Sequence, residues 1–293
     1  MLFAIVMDWV MRQSINSKDF GLNWVDGTRL ADLDFADDVV LVDNDIQRLQ
    51  ELTTAVEQEA SKMGQCVNSS KCRIMVSGDW EGRADVHASG ATIETVEDFC
   101  YLGSYITSNG NCDQEVKVRI GKAAGVFSKL LKIWKNKKIS LAVKTRLYEA
   151  LVLSTLLYSS ELWPISVTHM KKLEAAHHRW LRSILGISWR DKVTNEKVRE
   201  ATALPKLEAI LRCRRLRWLG HLVRMEHHRI PRQALRWEPQ GYKRRPGRPQ
   251  QNWNGIITKD LRRMDISWDE LEEAVEDRKS WWKRVAQCVF DAG

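Results

Sequence analysis

The sequence predicts an α+β fold in its first third, hairpins with a covering helix, followed by an all-α remainder. Three observations carry this. Two apolar runs, Leu30 to Phe35 and Val39 to Val42, flank a tight acidic step, as two strands flank a hairpin turn. Gly, Asn and Asp punctuate short segments as far as Asn109-Gly110, which is strand-and-turn spacing. Beyond residue 110, apolar residues recur at intervals of three and four, the period of a helix with one buried face.

Residues 1–19 read as a helix, with Met1, Ile5, Trp9 and Met11 near helical spacing. Asp26-Gly27 marks a turn. Leu30 to Phe35 then alternates apolar with acidic, as a half-exposed strand does, and Val39 to Val42 reads as a buried strand. The step Ala36-Asp37-Asp38 between them places Asp37 and Asp38 side by side at an exposed tip. Adjacent carboxylates repel unless a cation neutralises them. Hard divalent cations such as Mg²⁺ take such oxygen ligands. An inert acidic surface turn would explain the same string. A calcium loop would need Gly within a longer acidic repeat. A phosphatase Asp-x-Asp would need a strand ending in that pair, whereas Asp32-Leu33-Asp34 precedes a second strand.

Asn44 or Asp45 can cap a helix over residues 46–63, whose stripe is Ile46, Leu49, Leu52, Val56 and Ala60 and whose stop is Gly64. Residues 67–76 read as a strand entry, a turn and a strand, and residues 77–97 as a loop with a short hairpin at Gly90. Phe99 to Thr107 forms a further hairpin. From Asn111 the pattern is helical, with Val116, Ile120, Ala123, Phe127, Leu130, Leu131 and Trp134 as one stripe. Helices are expected over 141–157 and 170–185, the latter ended by Gly186.

From Thr194 the chain is helical and basic. Arg214, Arg215 and Arg217 stand among Leu211, Leu216 and Leu219 and are candidate phosphate contacts. Pro246 and Pro249 break any helix, so Lys243, Arg244, Arg245 and Arg248 belong to an extended basic arm over 241–250. Such an arm suits a phosphate backbone or a plain basic linker. Ser267 to Glu270 is a capping box. Trp281, Trp282, Val285 and Val289 give a last amphipathic helix, with most tryptophans expected in the core.

The formal net charge is +8, which suits a polyanionic partner. Charge is polarised, acidic over the first 60 residues and basic over 206–248. No run of 18 apolar residues occurs, so no membrane span is expected. The apolar start lacks a basic leader and a cleavage site, so an intracellular protein, nuclear or cytoplasmic and not secreted, is expected. The six cysteines form no Cys-x₂-Cys pair, which leaves zinc-ribbon and redox chemistry unsupported. Cys213, His221, His227 and His228 are poorly spaced for zinc.

Phe35-Ala36-Asp37-Asp38 between apolar runs resembles the catalytic hairpin of reverse transcriptases of LINE-type (non-LTR) retrotransposons. Asn68-Ser69-Ser70-Lys71 and Tyr101-Leu102-Gly103-Ser104 follow in that family's order, resembling its triphosphate-proximal lysine motif and its primer grip. The strings Arg217 to Met225 and Lys243 to Pro249 also resemble segments of such proteins. The resemblance implies a partial palm over 1–110, a helical thumb over 111–190 and a basic helical C-terminal region over 191–293. It implies RNA-directed DNA polymerisation, a nucleotidyl transfer on an RNA template and a DNA primer with deoxynucleoside triphosphates. Two Mg²⁺ ions would be held in part by Asp37 and Asp38, and Lys71 would serve the leaving pyrophosphate. The same family needs a further carboxylate and nucleotide-binding residues upstream of Met1. The chain alone is therefore expected to be an incomplete polymerase, with a non-enzymatic nucleic-acid-binding remnant as the alternative.

Overall fold

The computed structural model describes residues 2–15, 19–78, 84–238 and 252–290. The described residues form two compact units. One comprises 2–99, 107–109 and 236–238, and the other 100–106, 110–235 and 252–290.

The first unit opens with α1 (Leu2–Ile15), then a hairpin of β1 (Leu22–Asn23) and β2 (Arg29–Leu30) turned at Asp26-Gly27. Gly21 sits at φ +91°, and a β-carbon there would collide with the Leu30 carbonyl, so only glycine lets these two backbones approach. The acidic hairpin follows, β3 (Asp32–Phe35) antiparallel to β4 (Asp38–Leu41). Asp43 then joins strand to helix. Its fully buried carboxylate accepts from the backbone N–H of Gly21 at 2.7 Å and pairs with Arg48 at 2.8 Å.

Asp45 caps α2 (Ile46–Lys62), accepting from the N–H groups of Gln47 and Arg48. Leu52, Val56 and Ala60 on α2 pack against Val10 and Met11 on α1, with Phe20 and Ala31. Val39 and Leu41 reach this core and remain half-buried, whereas the sequence predicts a buried strand. A two-stranded ladder covered on one face leaves its other face in water. A small satellite core gathers Ile74, Val86, Ala88 and Ile93. It is built by β5 (Arg73–Ile74), the hairpin β6 (His87–Ala88) and β7 (Ala91–Thr92), and β8 (Glu94–Thr95), which pairs with β5 in parallel. The last hairpin is β9 (Asp98–Tyr101) with β10 (Ser104–Thr107), and its tip clusters with the second unit.

The second unit is helical. Its α3 (Asp113–Lys129) stops at Leu130 before α4 (Leu131–Lys135). The stripe expected to run on through Leu131 is broken there, so Leu131 is exposed while Trp134 is buried. Next, α5 (Leu141–Leu147) continues through a π-helical turn (Tyr148–Leu153) into α6 (Ser154–Leu156). The following α7 (Val167–Leu185) starts earlier than expected. Ser166 and His169 cap it reciprocally, a box in which histidine replaces the usual glutamate.

The remaining helices are α8 (Asn195–Thr202), α9 (Leu207–Val223), α10 (Ile230–Ala234), α11 (Trp253–Arg262), α12 (Leu271–Glu276) and α13 (Arg278–Phe290). The unit has two cores, and α9 serves both. Leu207 and Leu211 join Tyr148, Leu156, Leu173 and Leu181 in one. Leu216 and Leu219 join Ile257, Leu261, Trp281 and Val285 in the other. The expected division near residue 190 therefore falls inside one compact unit.

Candidate functional site

The acidic hairpin turns on two residues, one fewer than the step expected from the sequence, so Asp38 opens β4. Phe35 pairs with Asp38 and Asp34 with Val39, so Ala36 and Asp37 are the two turn residues. Ala36 adopts φ +57°, where a side chain is strained. Asp37 and Asp38 are both exposed. Neither carboxylate has an ion-pair partner among the described residues.

The carboxylate most perturbed by its surroundings lies elsewhere on the hairpin. Asp32 and Asp34 are two apart on β3 and so share a face. Partial burial pushes the Asp32 carboxyl up to about 7, and a hydrogen bond and charge repulsion from Asp34 push the same way. Asp-x-Asp on a strand was visible in the sequence, but the partial burial of Asp32 beside an exposed Asp34 was not.

Lys71 ends a turn in which its N–H donates to the Asn68 carbonyl at 3.0 Å. Its side chain is exposed, and no hydrogen bond or ion pair joins it to Asp37 or Asp38 among the described residues. Among those residues, no three His, Cys, Asp or Glu side chains gather as metal ligands. Two exposed carboxylates fall short of the donor set that a two-ion site requires.

The turn Tyr101-Leu102-Gly103-Ser104 is held far more firmly. Leu102 (φ +48°) and Gly103 (φ +79°) are both left-handed, as a tight two-residue hairpin turn demands. The Tyr158 hydroxyl donates to the Leu102 carbonyl at 3.0 Å, and the Arg119 guanidinium donates to the Gly103 carbonyl. Glu115 accepts from the Tyr105 N–H at 2.8 Å and pairs with Arg119 at 2.6 Å, both side chains being buried. Arg119 also lies 4.3 Å from the Tyr158 ring centroid. The i, i+4 spacing of Glu115 and Arg119 was the available sequence signal for this clamp.

Of the three arginines expected to face phosphate, two are accessible. Arg217 is exposed, and Arg214 is half-buried with one N–H donated to the Leu157 carbonyl at 2.8 Å. Arg215 is a correction. It is 4% exposed, and its guanidinium grips Asp260 at 2.9 and 2.7 Å. Its position on α9 faces α11, so its charge is neutralised inside the protein. Lys243, Arg244, Arg245 and Arg248 lie outside the described residues.

One further chain of groups resembles a nucleophile with its base. Cys112 Sγ lies 3.3 Å from His169 Nδ1, and His169 Nε2 lies 2.8 Å from Asp113. Burial pushes the Cys112 thiol up to about 12, and the Ser166 N–H also points at His169 Nδ1, at 3.3 Å. A buried, protonated thiol is inert, and the chain serves to hold α3 against the start of α7.

No protein-family model matches the chain. The chain is similar to a Caenorhabditis elegans protein described as transposon-derived and uncharacterized. The two are 24% identical over 270 residues, covering 88% of this chain and 95% of the relative. That similarity points to a transposon-related origin. Among the described residues, no helix is long and apolar enough to cross a membrane.

Proposed function

We propose that this chain corresponds to the palm hairpin, thumb and following region of a LINE-type reverse transcriptase, and that it binds nucleic acid without extending a primer by itself. The observation that carries the reading is the hairpin pair. Asp37 and Asp38 stand at the tip of one antiparallel hairpin, and Tyr101 to Ser104 form the clamped tip of another. The transposon-derived relative, aligned across most of the chain, supports the same origin. The net charge of +8 supports a polyanionic partner.

The expected lack of extension rests on the donor set, because the pair gathers no third acidic ligand among the described residues. Primer extension on an RNA template with Mg²⁺ and deoxynucleoside triphosphates tests it. The purified chain is expected to bind the primer–template and add no nucleotide. Metal-dependent extension that disappears in Asp37→Ala would refute the inactive reading and make Asp37 a catalytic ligand.

A further inference from the structure

We infer that a cationic, tryptophan-lined cleft on the helical unit binds single-stranded nucleic acid, gripping its phosphates with arginines and stacking a base on Trp282. The inference rests on the proposal that the chain binds nucleic acid, and it names where and in what form.

The cleft has a volume of about 430 Å³. It owes its existence to one close helix crossing. Gly220 on α9 lies against the Trp281 indole, and a β-carbon at that position would overlap the ring. Trp281 is fully buried and donates its indole N–H to the Leu216 carbonyl at 3.0 Å. This contact sets α13 across α9 and brings Arg278 and Trp282 beside one face of α9. That face carries Arg214, Arg217, His221 and Arg224, at intervals of three, four and three, which is a single helical stripe.

The charge in the cleft is unbalanced. Four guanidiniums line it, against the single carboxylate of Glu161, which lies 3.9 Å from Arg214. Arg217, Arg224 and Arg278 have no carboxylate partner among the described residues. Arg224 is fixed by donating to the Val275 carbonyl at 2.9 Å. Arg217 and Arg278 lie 4.9 and 5.1 Å from the centroid of the Trp282 ring. Burial, together with the charge of Arg278, lowers the pKa of Arg224, the direction expected where cations crowd without an anion. Phosphate oxygens would relieve that crowding and accept paired N–H donors from arginine.

Trp282 selects the form of nucleic acid. It is 43% exposed, unlike its fully buried neighbour Trp281, and so it departs from the core role its sequence spacing suggests. The two guanidiniums that lie over this exposed indole are drawn off it when they grip phosphate, which frees the ring as a stacking platform for an unpaired base. The bases of a duplex are already stacked and cannot use it.

Fluorescence anisotropy of the full chain with a labelled 12-nucleotide RNA, its DNA equivalent and a duplex of the same length tests this. Trp282→Leu is expected to weaken single-strand binding about 5- to 150-fold with an unchanged salt slope. The double variant Arg217→Ala, Arg278→Ala is expected to reduce the log–log salt slope by about 1.4, because two phosphates are no longer neutralised. Arg217→Lys with Arg278→Lys should keep the slope. All three side chains are exposed, and an unchanged unfolding midpoint confirms the fold of each variant. RNA and DNA binding alike would assign recognition to phosphate and base, whereas preference for one would add the sugar; either supports the cleft. Variants that bind single strands like the parent overturn the cleft and leave nucleic-acid binding standing. A duplex that competes equally overturns the single-strand assignment. A parent chain that binds none of the probes at low salt overturns the functional proposal itself.

Discussion

At the residue scale, buried ionisable groups set the response to pH. His177 is fully buried, and its Nδ1 lies 2.7 Å from the Tyr148 hydroxyl. Burial lowers its pKa to about 3, with the positive charges of His178 and Arg199 acting the same way. The folded form therefore stays neutral where the unfolded chain takes up a proton. Stability is fully present above the ordinary histidine range and is lost as pH falls from about 6.5, by about 1.4 kcal/mol per pH unit for one proton. Urea unfolding at stepped pH should show that slope, and His177→Gln should remove its share. His178 is shifted downwards too, chiefly by burial, so some slope should persist. Asp113 acts in the same window's lower reach, because its hydrogen bond from His169 lowers its pKa. The sequence shows both histidines on one helix but not that one lies in the core, because burial there depends on distant helices.

At the element scale, two contacts position what the chain presents to its surroundings. Glu115 and Arg119 are buried together against the Gly103 turn. Removing one partner strands the other charge, so Arg119→Ala should cost about 3–5 kcal/mol, read by denaturant unfolding. Asp260→Ala should cost a similar amount, because Arg215 would then be buried without its anion. Gly220→Ala forces a methyl into Trp281 and should cost about 1–3 kcal/mol while displacing Trp282. Helices and caps were legible in the sequence, as Asp45 and Gly186 show. The break at Leu130 was not, because apolar spacing continues across it. The Arg217 to Arg224 string carried a glycine and an arginine stripe in plain view. Its meaning needed α13, a partner helix far along the chain.

At the scale of the whole molecule, the acidic hairpin belongs to one compact unit and the arginines of the cleft to the other. The hairpin's place and the exposure of Asp37 and Asp38 could be read from the sequence, because a strand–turn–strand pattern is local, whereas the outward-facing Leu33 and Phe35 could not. Whether it catalyses depends on ligands that local pattern cannot supply, and the described residues gather no third one. The cationic unit, by contrast, should bind nucleic acid with no metal ion present. A salt titration of single-strand binding by the full chain, run with and without EDTA, tests this. The expected result is a straight log–log decline of affinity with salt, unchanged by EDTA, since arginine and lysine contacts release counterions and need no metal. Binding that vanishes with EDTA, or no binding at low salt, would refute it.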